Sequence, residues 1–197
     1  MSSHHIVRDD QEPALIINEA IDNLEHVQQL LEWSPTVISS QDALPWLIKN
    51  QIKVDVVICK NEDQKNIFQL LEFQQPVKIL GFEALESSII SEAISFLGYS
   101  KYPAAHIIGP ISKDSMMTIT NYTSLNLNWS DGDNMWSLFK SGRFSKWLKE
   151  KHELQLAGSS LQIKGDFEKV DDQKIITASA GIIEITSPEV FWIGERL

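Results

Sequence analysis

A single cysteine is too few for an internal disulfide or for a zinc site built on several thiolates, so Cys59 alone fits a reducing compartment. Positive charge is also scarce: 17 Lys and Arg stand against 27 Asp and Glu, a formal charge of −10. Gripping a phosphate backbone takes an excess of Lys and Arg to displace counterions, which sets aside nucleic acid and anionic membrane as partners. No apolar run approaches the roughly 20 residues that cross a bilayer. The polar opening from Met1 to Glu12 lacks the apolar core of a secretion signal, so the expected location is cytoplasmic. No internal repeat or low-complexity stretch is present, and the sequons at Asn121 and Asn128 are expected to be chance matches.

What is present is alternation. A chain of 197 residues buries about 70% of its unfolded surface, enough for one large domain or two small ones. Short apolar runs at Ala14–Asn18, Thr36–Ser39, Val54–Cys59, Val77–Leu80 and Ala105–Gly109 predict strands. Between them, apolar residues three and four apart predict helices: Leu24, Val27, Leu30 and Leu31; Leu44, Leu47 and Ile48; Ile67, Leu70 and Leu71; Ile89 to Leu97. Strands alternating with helices imply a Rossmann-like α/β domain with a parallel sheet. The pattern changes near Ser112. Beyond it, runs at Met117–Asn121, Leu125–Trp129, Met135–Phe139, Glu153–Ala157, Leu161–Lys164, Lys174–Ala178, Ile182–Thr186 and Val190–Gly194 predict strands. Turn chemistry at Ser130 to Asp133, Asp171-Asp172 and Ser187-Pro188-Glu189 predicts antiparallel hairpins between them. The stretch from Gly142 to Lys151 fits either a turn of helix or a strand. The expected division is a polar segment 1–13, an α/β domain 14–114 and an antiparallel β-sandwich 115–197.

The segment from Ile52 to Asp63 is the most informative, because a buried strand opens there at its carboxyl end into a polar loop, where open α/β sheets bind ligands. Ile52-Lys53-Val54-Asp55-Val56-Val57-Ile58 resembles a strand of the thiamine pyrophosphokinase family. The likeness extends to Ala14-Leu15-Ile16-Ile17-Asn18, Leu30 to Pro35, Ser91-Glu92-Ala93-Ile94, Arg143 to Trp147 and Gly181 to Ile185. That resemblance implies transfer of a pyrophosphoryl group from ATP to thiamine with magnesium, in a homodimer that closes one subunit's sandwich over the other's α/β domain. Such transfer asks the protein for positioning and charge stabilisation, so carboxylates that hold the metal are indispensable.

Those carboxylates are largely replaced. The family's Asp-Gly pair falls on Gln41 and Asp42, its Gly-Asp-Phe-Asp-Ser on Cys59-Lys60-Asn61-Glu62-Asp63, and its Gln-Asp-x-x-Asp on Leu85 to Ile89, where only Glu86 is acidic. Its Asp-His pair aligns with Met116-Met117 and its Ser-Asn with Ser179-Ala180. By resemblance, Lys60, Glu62 and Asp63 occupy catalytic positions; Asn18, Gln41, Asp42 and Glu86 lie on the nucleotide side; Ser179 and Trp129 lie on the thiamine side. Lys60 reverses a charge. At about 5 Å an ammonium repels Mg²⁺ by roughly 2 kcal/mol in water-like surroundings and about 7 kcal/mol at an effective dielectric near 20.

Other polar residues have plainer expected roles. Asp55 is expected to bond backbone locally or to cap a turn, Cys59 to be an inert buried thiol, and His106 to be a hydrogen-bonded strand residue. His26 and His152 fall on polar faces, and His4-His5 supplies two metal donors without a third. Trp129, Trp136, Trp147 and Trp192 suit either a sandwich core or a subunit contact. The expected function is a pyrophosphokinase homologue that has lost phosphotransfer and persists as a dimeric binding or regulatory protein for thiamine or a nucleotide. One alternative is an active kinase with Mg and ATP held by Glu62, Asp63 and Glu86, with Lys60 on phosphate. Another is a structural dimer whose cleft is closed by Phe82 and Leu85.

Overall fold

The computed structural model describes residues 13–83, 88–110, 112–121, 124–140 and 142–197. Its first half is a parallel sheet built by crossover helices. In chain order these are β1 (Ala14–Ile17), α1 (Leu24–Leu31), β2 (Thr36–Ser40), α2 (Leu44–Lys49), β3 (Val56–Lys60), α3 (Gln64–Leu70), β4 (Lys78–Phe82), α4 (Ile89–Tyr99) and β5 (Ala104–Ile108). The strand order is β5-β1-β2-β3-β4, every neighbouring pair parallel. The strands read as unbroken apolar runs because both faces are covered. Leu15, Ile17, Val37, Val57 and Cys59 share one core with Val27, Leu44, Leu47 and Ile67 of α1, α2 and α3. The alternate residues Ile16, Ile38, Val56 and Ile58 are also buried, on the face opposite by strand alternation. Helix α4 buries Ile90, Ala93, Ile94 and Leu97 and touches β1 and β3.

Local chemistry starts these helices where the sequence suggests. Asn23 accepts the His26 N–H at 3.0 Å ahead of α1, Pro45 stands in the first turn of α2, and Ser88 accepts the Ser91 N–H at 3.2 Å ahead of α4. Asp55 does bond backbone, but across strands: its carboxylate accepts the Val37 N–H at 2.9 Å, while its own N–H reaches Val37 O at 3.0 Å.

The rest of the chain forms α5 (Lys113–Asn121) and then β6 (Asn126–Ser130), β7 (Asn134–Phe139), β8 (Arg143–Leu148), β9 (Glu153–Ala157), β10 (Gln162–Lys164), β11 (Phe167–Asp171), β12 (Lys174–Thr177), β13 (Gly181–Thr186) and β14 (Phe191–Arg196). Strands β10-β13-β8 form one antiparallel sheet, and β11-β12-β9-β14-β7-β6 run antiparallel in another. Phe144, Leu148, Ile183 and Ile185 from the small sheet meet Leu154, Leu156, Ile175, Phe191 and Ile193 in one core. That is a β-sandwich, with inward residues alternating along each strand. The described residues divide into two compact units. One runs to Pro110 and takes in the stretch ending at Leu127; the other comprises α5 and everything from Asn128 to Leu197.

Three readings change. Met117–Asn121 is helical, because Ser112 Oγ accepts the Ser115 N–H at 3.1 Å and caps α5. The hydroxyls of Thr118 and Thr120 then bond the carbonyls of Asp114 and Met116 one turn back, which reconciles these β-branched residues with a helix. Ser187-Pro188-Glu189 is not a hairpin turn: it carries the chain from β13 in one sheet to β14 in the other. Strand β11 was not predicted, since Phe167–Asp171 is nearly all exposed and has no apolar alternation to betray it. The ambiguous stretch after Gly142 is the strand β8.

Candidate functional site

In the first unit the chain order reverses between β1 and β5, the switch point beside which open α/β sheets form a ligand crevice at the carboxyl ends of their strands. Asn18 follows β1 there; its N–H bonds Ile108 O at 2.9 Å, and its own carbonyl accepts the Ser40 hydroxyl at 2.5 Å. Gly109, just past β5, has φ +116°, and a side chain on it would meet the Glu19 backbone nitrogen at 2.8 Å. Only glycine suits both demands.

At the end of β2, the Ser40 hydroxyl also accepts the Ala43 N–H at 3.0 Å, and Gln41 Oε1 accepts the Lys60 N–H at 3.1 Å. The loops after β2 and β3 are thereby tied. Lys60 is exposed, and no ion pair engages its ammonium among the described residues. Next in the chain, Asn61 Oδ1 accepts from Gln64 Nε2 at 3.0 Å, and this amide pair lies against β4. A Cβ on Gly81 would stand 2.0 Å from Gln64 Nε2 and 2.2 Å from Asn61 Oδ1. Asp42, Glu62 and Glu83 are exposed and Asp63 is half-buried. Cys59 is fully buried; burial first, and then the Asp63 carboxylate, push its thiol upward, which leaves it a poor nucleophile.

The structure thus gathers Asn18, Gln41, Lys60, Asn61 and Gln64 at the ends of three adjacent strands. Glu86, like Leu85, lies outside the described residues. Among the described residues no three His, Cys, Asp or Glu side chains converge as metal donors. The groups fixed in this crevice suit a Mg²⁺ ion poorly: the Lys60 ammonium has no lone pair to give, the amide oxygens of Gln41 and Asn61 are already engaged, and of the carboxylates of Asp42, Glu62, Asp63 and Glu83 no three converge.

The second unit holds the other two sites suggested by resemblance. Ser179 lies in the β12–β13 connection, its hydroxyl donating to Asp166 Oδ2 at 2.6 Å. Trp129 is 3% exposed and stacks on Trp136 at 5.7 Å, and Trp136 Nε1 donates to Asp131 at 2.9 Å while Lys113 Nζ lies 4.9 Å above its ring. Trp192 is equally buried, its Nε1 donating to Thr120 Oγ1 at 3.2 Å. Trp129, Trp136 and Trp192 are therefore buried, but outside the core between the two sheets: Trp192 alternates along β14 with the core residues Phe191 and Ile193 and bonds α5, while Trp147 is 60% exposed. Met116 is buried in α5 and Met117 half-buried.

Comparison with solved structures settles what this architecture is. A thiamin pyrophosphokinase from Candida albicans matches 95% of this chain and 90% of its own, with a TM-score of 0.68 at 9% identity. The enzyme from Geobacillus thermodenitrificans matches 93% and 97%, with a TM-score of 0.67 at 7% identity. That from Bacillus subtilis matches 93% and 98%, at 0.65 and 10%. The fold is that of the thiamine pyrophosphokinases. No family model matches the chain, and no curated protein does either. A thiamine pyrophosphokinase fold is thus retained at 7–10% identity to these solved structures.

The amide pairing of Gln41 with Lys60 and of Asn61 with Gln64 is the part of this site that sequence reading missed. Spacing gives a hint, since Asn61 and Gln64 are three apart across a helical start, but the role of Gly81 is visible only once β4 is paired with β3.

Proposed function

We propose that this chain is a thiamine pyrophosphokinase-like protein that has lost pyrophosphoryl transfer and serves as a dimeric ligand-binding or regulatory protein. The observation that carries this reading is the loop after β3. Lys60 stands exposed where the resemblance calls for a metal-holding acid, and its backbone is fixed by Gln41 at the position of another such acid. An ammonium in that place repels the metal that would bridge the phosphates, which works against charge stabilisation of a transferring phosphoryl group. Support for a second copy comes from the outer face of the small sheet. Trp147 and Ile182 lie opposite each other in register and are 60% and 62% exposed, an apolar pair of the kind found at subunit contacts.

Calorimetry with thiamine and ATP, each with Mg²⁺, a coupled assay of AMP release and sedimentation of the same preparation test this. The expected result is a dimer that binds ligand without releasing AMP. Sustained magnesium-dependent AMP release would overturn it.

A further inference from the structure

Resting on the dimeric part of that reading, we propose that a second copy of this chain adds to the open edge of β8, across a two-fold axis at Ser145. The two small sheets then join into one antiparallel sheet. Among the described residues β8 pairs with β13 alone, so its other side carries unpaired backbone groups.

The phase of the ladder fixes which groups those are. The Ser187 N–H bonds Gly142 O at 3.0 Å, and β13 pairs with β8 without a shift from Thr186 opposite Arg143 to Gly181 opposite Leu148. Bonded and non-bonded pairs alternate along an antiparallel ladder. Since Gly142 and Ser187 are a bonded pair, Arg143, Ser145 and Trp147 fall in the non-bonded positions, and their N–H and C=O groups point away from β13. Each of these residues is exposed.

This edge complements a copy of itself. With the axis at Ser145, that residue faces Ser145 of the partner subunit, Arg143 faces the partner's Trp147, and every facing pair exchanges both backbone bonds. No other two-fold register pairs Arg143, Ser145 and Trp147 together. On the outer face of the sheet the same register sets the Arg143 guanidinium beside the partner's Trp147 ring, a cation-on-aromatic contact across strands. Glu184 already holds that guanidinium at 2.8 Å, which leaves its planar face to stack, and Trp147, 60% exposed in one subunit, gains a cover.

The other sheet edges of this unit are blunted. Strand β10 is three residues long and carries Lys164, while β11 carries Glu168, Lys169 and Asp171 and shifts its register between the last two. Strand β8 has a comparable guard in Lys146. Its ammonium, however, lies on both carboxylate oxygens of Glu195 in β14, at 2.7 and 2.8 Å, so that charge is met within the subunit.

Sedimentation of the full chain over a range of concentrations, with variants in β8, tests the joint. The unaltered chain is expected to be a dimer. Proline suits an edge strand where the lost N–H faces outward, so Ser145→Pro keeps the ladder to β13 but should raise the dimer dissociation constant about tenfold or more. Ser145→Glu sets like charges face to face and should act in the same direction. Under mild oxidation Ser145→Cys should cross-link two subunits, because facing Cα atoms about 5.5 Å apart suit a disulfide, whereas Glu168→Cys on β11 should not. Circular dichroism of each variant checks that the fold is intact. A dimer that Ser145→Pro and Ser145→Glu both leave unchanged, a Ser145→Cys variant that does not cross-link, or a chain that stays monomeric overturns the proposal. The failures are separable: a dimer indifferent to changes in β8 defeats this joint alone, a monomer defeats the dimeric reading with it, and AMP release defeats only the loss of phosphotransfer.

Discussion

At the scale of single residues, charge and polarity here do different jobs from those their types suggest. Asp55 stands just before β3, at the end of that strand away from the candidate site, and its carboxylate accepts the N–H of Val37, a residue only 4% exposed. Replacing Asp55 by Ala strands that buried donor, and Lys53, 3.5 Å from the carboxylate, has no amide or acid to offer in its place. A loss of about 1–3 kcal/mol is expected, read as a lower midpoint in urea with an unchanged slope. Gly194 is a second such position. In the middle of β14, a side chain there would meet the Trp136 ring at 2.9 Å and Gln155 Cβ at 3.0 Å. Gly194→Ala should cost about 1–3 kcal/mol through overpacking, seen as a fall in melting temperature.

Among elements, the sequence was legible where burial imposes a period and illegible where it does not. Strands β1, β2, β3 and β5 announce themselves as apolar runs, and β9 lies where alternation puts it, because Leu154 and Leu156 must face the core while Glu153 and Gln155 do not. Strand β11 gave no such signal: four of its five residues face solvent, and it is held by pairing with β12 rather than by burial. Helix α5 was hidden by the opposite effect. Its threonines favour strands, and the hydroxyl bonds that reconcile them with a helix form only when the helix is present. In the candidate site, Lys60 and the displaced acids could be found by counting along the chain. The Gln41–Lys60 tie joins residues 19 apart and depends on β2 lying beside β3, so no local pattern carries it.

For the molecule as a whole, histidine sets a limit on acid stability. His26 of α1 and His106 of β5 bring their rings within 5.8 Å. Burial lowers the pKa of His106 to about 4, with the nearby His26 adding to the effect, and burial lowers His26 as well. A folded-state pKa below the unfolded value means that the unfolded chain binds the proton more readily. Stability is then fully present above about pH 6.5 and is lost as pH falls towards 4, by up to about 3 kcal/mol for His106. Denaturant unfolding at pH 7.5 and 4.5 should show that drop, and His106→Gln should flatten it; a profile identical to that of the unaltered protein would remove His106 as its source.

The path of the backbone also decides how this protein can be inherited or dissected. Because the first unit reclaims a stretch ending at Leu127 after α5 has entered the second, a gene cut at the apparent midpoint would take Leu125 and Leu127, both almost wholly sheltered, away from the half that needs them. The two halves are not interchangeable cassettes, and recombination that shuffles one without the other would leave a seam of bare aliphatic surface.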